Sequence, residues 1–116
     1  MKRSRLASLA ICGMACGAAL AAEPAPARPS GEAVYAHWCA PCHAPGPGHP
    51  GTDSLQIKYG GRTPAVLVER TDLTPQVVST FVRQGVLLMA PFRKSEISDA
   101  ELTSLAAFVT RSYKSP

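Results

Sequence analysis

The stretch His37 to Pro45, HWCAPCHAP, holds the most chemically loaded spacing in the chain. Read from Trp38, the string Trp-Cys-X-Pro-Cys is what a thiol–disulfide oxidoreductase carries at its redox centre. Read one residue further along, Cys39-X-X-Cys42-His43 is what a covalently attached haem requires. Positions three apart share a helix face, so two thiols spaced this way can reach two vinyl groups on one edge of a porphyrin. His43 is then carried under the iron, where a ring nitrogen can ligate it. A third chemistry is a zinc site made of Cys39, Cys42, His43 and His49. Adjacent Cys42 and His43 would have to bend awkwardly onto one tetrahedral metal, which weakens that reading.

The elements that must position these residues separate the alternatives. A thioredoxin-like domain needs a buried β-branched strand feeding its cysteines and further strands after them. Here Ser30 can cap a helix running through Gly31, Glu32, Val34, Tyr35 and Trp38 into Cys39. Residues 44–61 are dense in Gly and Pro and show no periodicity. So long a structureless stretch in a small domain suggests that it wraps something. Thr63-Pro64 reads as the start of a short helix, with Thr as N-cap and Pro at the first helical position. Asp72 to Gly85 is a stronger helix, capped by Thr74, with Pro75 at its first position and a Leu73/Val78 staple. Gly85 ends it, and Val77, Val78, Phe81 and Val82 form its apolar stripe. The last helix has a full capping box, Ser98-Asp99-Ala100-Glu101, and a second staple from Ile97 to Leu102. Leu102, Leu105, Phe108 and Val109 fall on one face of it. No strand emerges, so the expected fold is all-α, three to four helices with long loops wrapped around one covalent haem. A porphyrin also supplies the apolar surface that so short a chain lacks.

A haem iron held by His43 needs a second axial ligand. GVLLMAPF, Gly85 to Phe92, offers Met89 on an extended loop after a helix-ending Gly, stiffened by Pro91. A lone Met is often core filler, but this one stands in a non-helical stretch between two capped helices. His37 and His49 are rivals for the same role. Both lie close to His43 in sequence and do not come easily to the opposite face of the ring. With His43 and Met89 bound, iron keeps no open position for substrate chemistry, and the soft thioether raises the potential.

The start of the chain reads as an export signal, 1–21. Lys2, Arg3 and Arg5 precede an apolar run from Leu6 to Ala22, and Ala19-Leu20-Ala21 supplies a cleavage pattern. At about 17 residues and rich in Ala and Gly, the run is marginal as a membrane span. Cys12 and Cys16 would leave with it, as would Met1 and Met14, so Met89 becomes the only methionine of the mature chain. A Pro/Ala-rich arm, 22–29, would then lead into one domain, 30–116. From Ala22 onward nine Lys and Arg stand against eight Asp and Glu, so the formal +4 falls to +1. Most of the basicity belongs to the signal and points to no nucleic-acid partner. The expected location is periplasmic, with no membrane span in the mature chain.

Gly31-X-X-X-Tyr35, Cys39-X-X-Cys42-His43, the Met89 loop and a last helix with Leu105 and Phe108 together resemble a class I c-type cytochrome over about Ser30 to Tyr113. The resemblance implies haem c and one-electron transfer without catalysis. It also implies that the first and last helices cross, with Gly31 and Tyr35 against Leu105 and Phe108. In this family a proline carbonyl orients the proximal His, and Pro47 and Pro50 are both candidates here. The ligand Met is often followed directly by Pro, whereas Ala90 intervenes in this chain. KYGGRTP, Lys58 to Pro64, puts Tyr59 and Arg62 where such cytochromes commonly hold the haem propionates; the plain alternative is a packed Tyr59 and a solvated Arg62. More narrowly, FVRQGVLLMAPFRKSEISDAELTSLAAFV is similar to the cytochrome subunits of flavoprotein dehydrogenases of the p-cresol methylhydroxylase type. That similarity implies a flavoprotein dehydrogenase as partner. The alternatives are a free shuttle to a terminal oxidase or peroxidase and, more distantly, a thiol–disulfide oxidoreductase.

Overall fold

In the computed structural model, which describes residues 27–113, the first helical stretch starts where Ser30 caps it. Ser30 Oγ accepts the Ala33 N–H at 3.1 Å. The expected signal segment and most of the arm lie outside the described residues. Helix α1 (Gly31–Val34) runs through a π-helical turn (Tyr35–Cys39) into α2 (Ala40–His43), so the helix continues past Cys39 to the histidine. Pro41 accounts for the wide turn. It has no N–H to give, and its ring would clash with the carbonyl four residues back. The turn before it opens, and the Ala40 N–H bonds the Tyr35 carbonyl five residues back.

Residues 44–61 depart from the structureless loop expected of them. A loop spans 44–49, and α3 (Pro50–Tyr59) follows. His49 is extended at its N-cap, Pro50 occupies its first position, and Asp53 lies in its first turn. Gly60 closes it in the left-handed conformation, φ 56°. Sequence periodicity missed this helix because Leu55, Ile57 and Tyr59 alternate by two and so spread around its circumference; Ile57 is 85 % exposed. Thr63-Pro64 does not start a helix. The β-branched Val66 and Val68 disfavour one, and a single 3-10 turn (Leu67–Glu69) forms instead.

The remaining helices stand where the capping residues put them. Thr74 accepts the Val77 N–H at 3.2 Å and opens α4 (Pro75–Gln84). At α5 (Asp99–Val109) the capping box is complete: Ser98 Oγ accepts the Glu101 N–H, and Glu101 Oε2 accepts the Ser98 N–H at 2.8 Å. The staple residues Leu73, Ile97 and Leu102 are buried. Of the stripe expected on α4, Val82 is buried and Val77 and Val78 are half-buried, while Phe81 is 41 % exposed. α4 turns Val78 and Val82, four apart, toward the core and leaves Phe81 at its edge.

The core joins Val34 and Tyr35 to Leu73, Val82, Ile97, Leu102, Leu105 and Val109. α1 crosses α5 at Gly31, where a Cβ would lie on the Ser104 carbonyl and 2.8 Å from Phe108 Cβ. One turn on, the Tyr35 and Phe108 rings pack at 5.5 Å. The described residues are helical with no strand, as expected, and their one antiparallel bridge joins Val86 and Met89.

Candidate functional site

Cys39, Cys42 and His43 lie on one continuous helical stretch whose C-terminal turn contains Pro41. Cys39 is half-buried and Cys42 exposed, and both are free thiols. Burial, with Cys42 close by, pushes the Cys39 thiol up to about 11. A thiol-exchange centre lowers the pKa of its attacking cysteine, so this environment is of the opposite kind.

His43 is held by its own backbone and by a close neighbour. Tyr35 Oη donates to the His43 carbonyl at 2.8 Å. Thr52 Oγ1 donates to the Ala44 carbonyl at 2.9 Å and ties α3 to the end of α2. A Cβ added at Gly51 would come within 2.6 Å of His43 Cε1 and 2.7 Å of the Cys42 carbonyl. Only a glycine lets α3 approach the imidazole this closely. Burial lowers the pKa of His43 and favours the neutral ring, the form with a lone pair free for a metal. His43 Nδ1 is buried and has no hydrogen-bond partner. Neither Pro47 nor Pro50 offers it a carbonyl, and the Pro50 carbonyl instead accepts the Ser54 hydroxyl at 2.7 Å.

The zinc reading fails on geometry: among the described residues no three His, Cys, Asp or Glu side chains converge as a metal site. His49 donates to the Pro41 carbonyl at 3.1 Å instead. His37 is exposed and meets the Trp38 ring edge-on at 4.7 Å.

Met89 is half-buried on the loop from Gly85 to Phe92 and packs against the core. Val86 and Met89 exchange both backbone hydrogen bonds at 2.9 Å, closing a two-residue turn. Its tip is Leu87, at φ 53°, and Leu88, which are 94 % and 100 % exposed. Gly85 is required at the base, since a Cβ there would lie 2.6 Å from the Met89 carbonyl and its φ is +70°. The Phe92 ring packs edge-on against Trp38 at 5.7 Å, so this loop and the cysteine helix are neighbours.

Tyr59 is half-buried beneath the Arg70 guanidinium, which sits 4.7 Å from its ring centre. Arg70 is buried and forms a two-pronged pair with Asp72, Nε to Oδ1 at 2.8 Å. The Arg62 side chain is exposed, and its backbone N–H bonds the Tyr59 carbonyl at 3.1 Å. Sequence reasoning missed Arg70, because nothing in the letters marks one arginine of several as buried. It also missed the close approach at Gly51 and the packing of Trp38 on Phe92. A cavity of about 500 Å³ between α3 and residues 61–69 is bordered by Thr52, Asp53, Gln56 and Glu69, and by none of Cys39, Cys42, His43 or Met89.

The arrangement fits a covalently held haem. Two thiols three residues apart precede a half-buried imidazole whose buried Nδ1 has no partner. A half-buried thioether stands on the adjoining loop. The family described as cytochrome c oxidase, cbb3-type, subunit III matches residues 26–109, more than half of the chain. No curated protein matches it significantly. A solved structure of an OmcF mutant is 18 % identical, covers 76 % of this chain and 100 % of its own, and superposes with a TM-score of 0.46.

Proposed function

Since the chain belongs to the cytochrome c oxidase, cbb3-type, subunit III family, we propose that it is a periplasmic one-electron carrier serving a flavoprotein dehydrogenase as its cytochrome subunit. Membership makes it a class I c-type cytochrome with haem c, a protein of electron transport. In our reading Cys39 and Cys42 would hold the haem through thioethers, and His43 and Met89 would ligate its iron. Haem bound there supplies an iron that takes up and releases one electron. The protein's part would be to supply His43 and Met89 as ligands, exclude water and hold the ring still. Tyr59 and Arg62 are our proposed propionate partners.

The observation that carries the ligand assignment is the Trp38–Phe92 contact, 5.7 Å between ring centres. It holds the Cys39–His43 helix against the loop bearing Met89, the only thioether after the proposed signal. If Met89 binds iron, the ferric protein has the weak red charge-transfer band of a sulfur–iron bond. Met89→Ala should abolish the band, lower the potential and admit carbon monoxide or cyanide. The band persisting in the variant would mean a different ligand.

Support for a stable partner comes from the same loop. Leu87 and Leu88 stand almost fully exposed at its tip, and apolar side chains presented together mark contact surfaces. The second reading, a diffusing shuttle to a terminal oxidase, draws on the oxidase named in the family's description. Co-purification with a flavin-containing dehydrogenase supports the first reading; isolation only as a free monomer supports the second.

A further inference from the structure

Arg83, in the last turn of α4, gathers three acceptors from separate parts of the chain. Its Nη1 donates to the Phe92 carbonyl at 3.1 Å. Its Nη2 donates to the Ile97 carbonyl at 2.8 Å and to Asp99 Oδ1 at 3.0 Å. The side chain is only 22 % exposed. Asp99, the first residue of α5, also accepts from Lys94 Nζ at 2.7 Å. The neighbouring Val82 carbonyl accepts the Phe92 N–H at 2.8 Å. Consecutive residues of α4 therefore hold both polar groups of Phe92. The segment that leaves α4 at Gly85 is returned to that helix at Phe92, and Met89 lies inside the closed loop.

Such a clamp matters for a thioether more than for most ligands. The sulfur is neutral and soft, and binds iron weakly enough that the freedom of an unanchored loop competes with the bond. The Val86–Met89 pair shapes the tip of the loop but does not fix it to the rest of the molecule. The attachment at its C-terminal end is the pair of bonds on Phe92, and the bonds to Ile97 and Asp99 lock the same guanidinium to the start of α5. Lysine cannot replace this planar fork, because it offers a single point charge and cannot serve three acceptors in this geometry. Truncation would also take the guanidinium donor from two part-buried carbonyls.

We infer that Arg83 is a positioning residue for Met89: by clamping the loop at Phe92, Ile97 and Asp99 it keeps the thioether sulfur on the haem iron and slows its exchange for other ligands. This rests on the reading of Met89 as the distal ligand.

The test uses the purified holoprotein in the ferric state, as wild type, Arg83→Gln, Arg83→Lys, Asp99→Asn and Met89→Ala. Two quantities are read at a temperature where circular dichroism shows each variant folded: the sulfur–iron charge-transfer band and the rate of cyanide binding, which requires the native sulfur to leave. Arg83→Gln should weaken the band and bind cyanide roughly tenfold faster or more, the scale set by one charge-assisted hydrogen bond. Arg83→Lys should fall between it and wild type. Asp99→Asn, which spares both carbonyl bonds, should have the smallest effect. An Arg83→Gln protein that melts earlier but keeps the wild-type band and cyanide rate, beside a Met89→Ala protein without the band, overturns the inference and leaves Met89 as ligand. A band that survives in Met89→Ala overturns the ligand assignment itself. Should Arg83→Gln fail to fold, wild-type cyanide kinetics in Arg83→Lys would still overturn the proposal.

Discussion

The Gly51 backbone lies against the His43 imidazole so closely that a Cβ would sit 2.6 Å from Cε1 and 2.8 Å from Nδ1. The contact joins the first turn of α3 to the end of the cysteine helix, and it sets the plane in which the ring stands. Gly51→Ala should therefore move the imidazole or push α3 away. Overpacking of this kind costs about 1–3 kcal/mol, so the holoprotein should melt several degrees lower and its potential should shift. Gly48→Ala is the control, because a Cβ there meets nothing within 4 Å, although its φ of +87° carries a strain of its own. A Gly51→Ala protein with unchanged potential and stability would mean that the ring has slack which the structure does not show.

The helix starts were legible because capping is local chemistry. Ser30, Thr74 and Ser98 each accept the N–H three residues on. The crossing of α1 and α5 came from the resemblance to class I cytochromes, and Gly31 and Tyr35 do meet Phe108. What could not be read depends on the third dimension. α3 has no apolar stripe to announce it, since it is placed by Pro50, Gly60 and the backbone contact at Gly51. The π-helical turn reflects a Pro41 clash that letters record only as a proline. Arg70 is buried because Asp72 and the Tyr59 ring receive it. The cysteine and histidine candidates needed only spacing and Met89 its place in a non-helical loop between capped helices, and the structure brings the two segments together through Trp38 and Phe92.

Arg70 and Asp72 give the fold a defined response to acid. The hydrogen bond from Arg70 holds the Asp72 carboxyl below its ordinary value, with partial burial opposing. A lowered folded pKa means that the stabilisation is fully present above the unfolded value, about 3.9, and is lost as pH falls through the lowered folded one. Asp72→Asn should lower the melting temperature at pH 7, and the difference from wild type should close on acidification below about pH 4. The Asp72 side chain is 54 % exposed, so the difference should be modest. A difference that widens on acidification would contradict the assignment.

Arg62 tests the propionate proposal. Its side chain is exposed, and a positive charge near haem disfavours the ferric form. Arg62→Gln should therefore lower the potential, most clearly at low ionic strength where screening is weak. No shift at low salt would mean that Arg62 is simply solvated.

The tip of the Met89 loop separates the two partner readings. Leu87 holds a left-handed conformation, φ 53°, that costs a non-glycine residue about 1–2 kcal/mol. Within the chain little contact offsets that strain, since Leu87 and Leu88 are 94 % and 100 % exposed. The exposed cations that follow, Arg93 and Lys94, are paired with Glu96 and Asp99, so the loop projects little net charge. Docking through it should rest on burial and shape, with little help from long-range attraction. Leu87→Asn with Leu88→Ser should leave the melting temperature unchanged or raise it, because Asn tolerates the left-handed region. If the partner is a flavoprotein dehydrogenase, the same change should weaken their complex by roughly tenfold or more, as loss of a central apolar anchor does. Stopped-flow reduction by that partner should be nearly independent of salt for the wild type and slower for the double variant at limiting concentration. A rate that collapses with rising salt and ignores both leucines would instead identify a freely diffusing shuttle steered by charge.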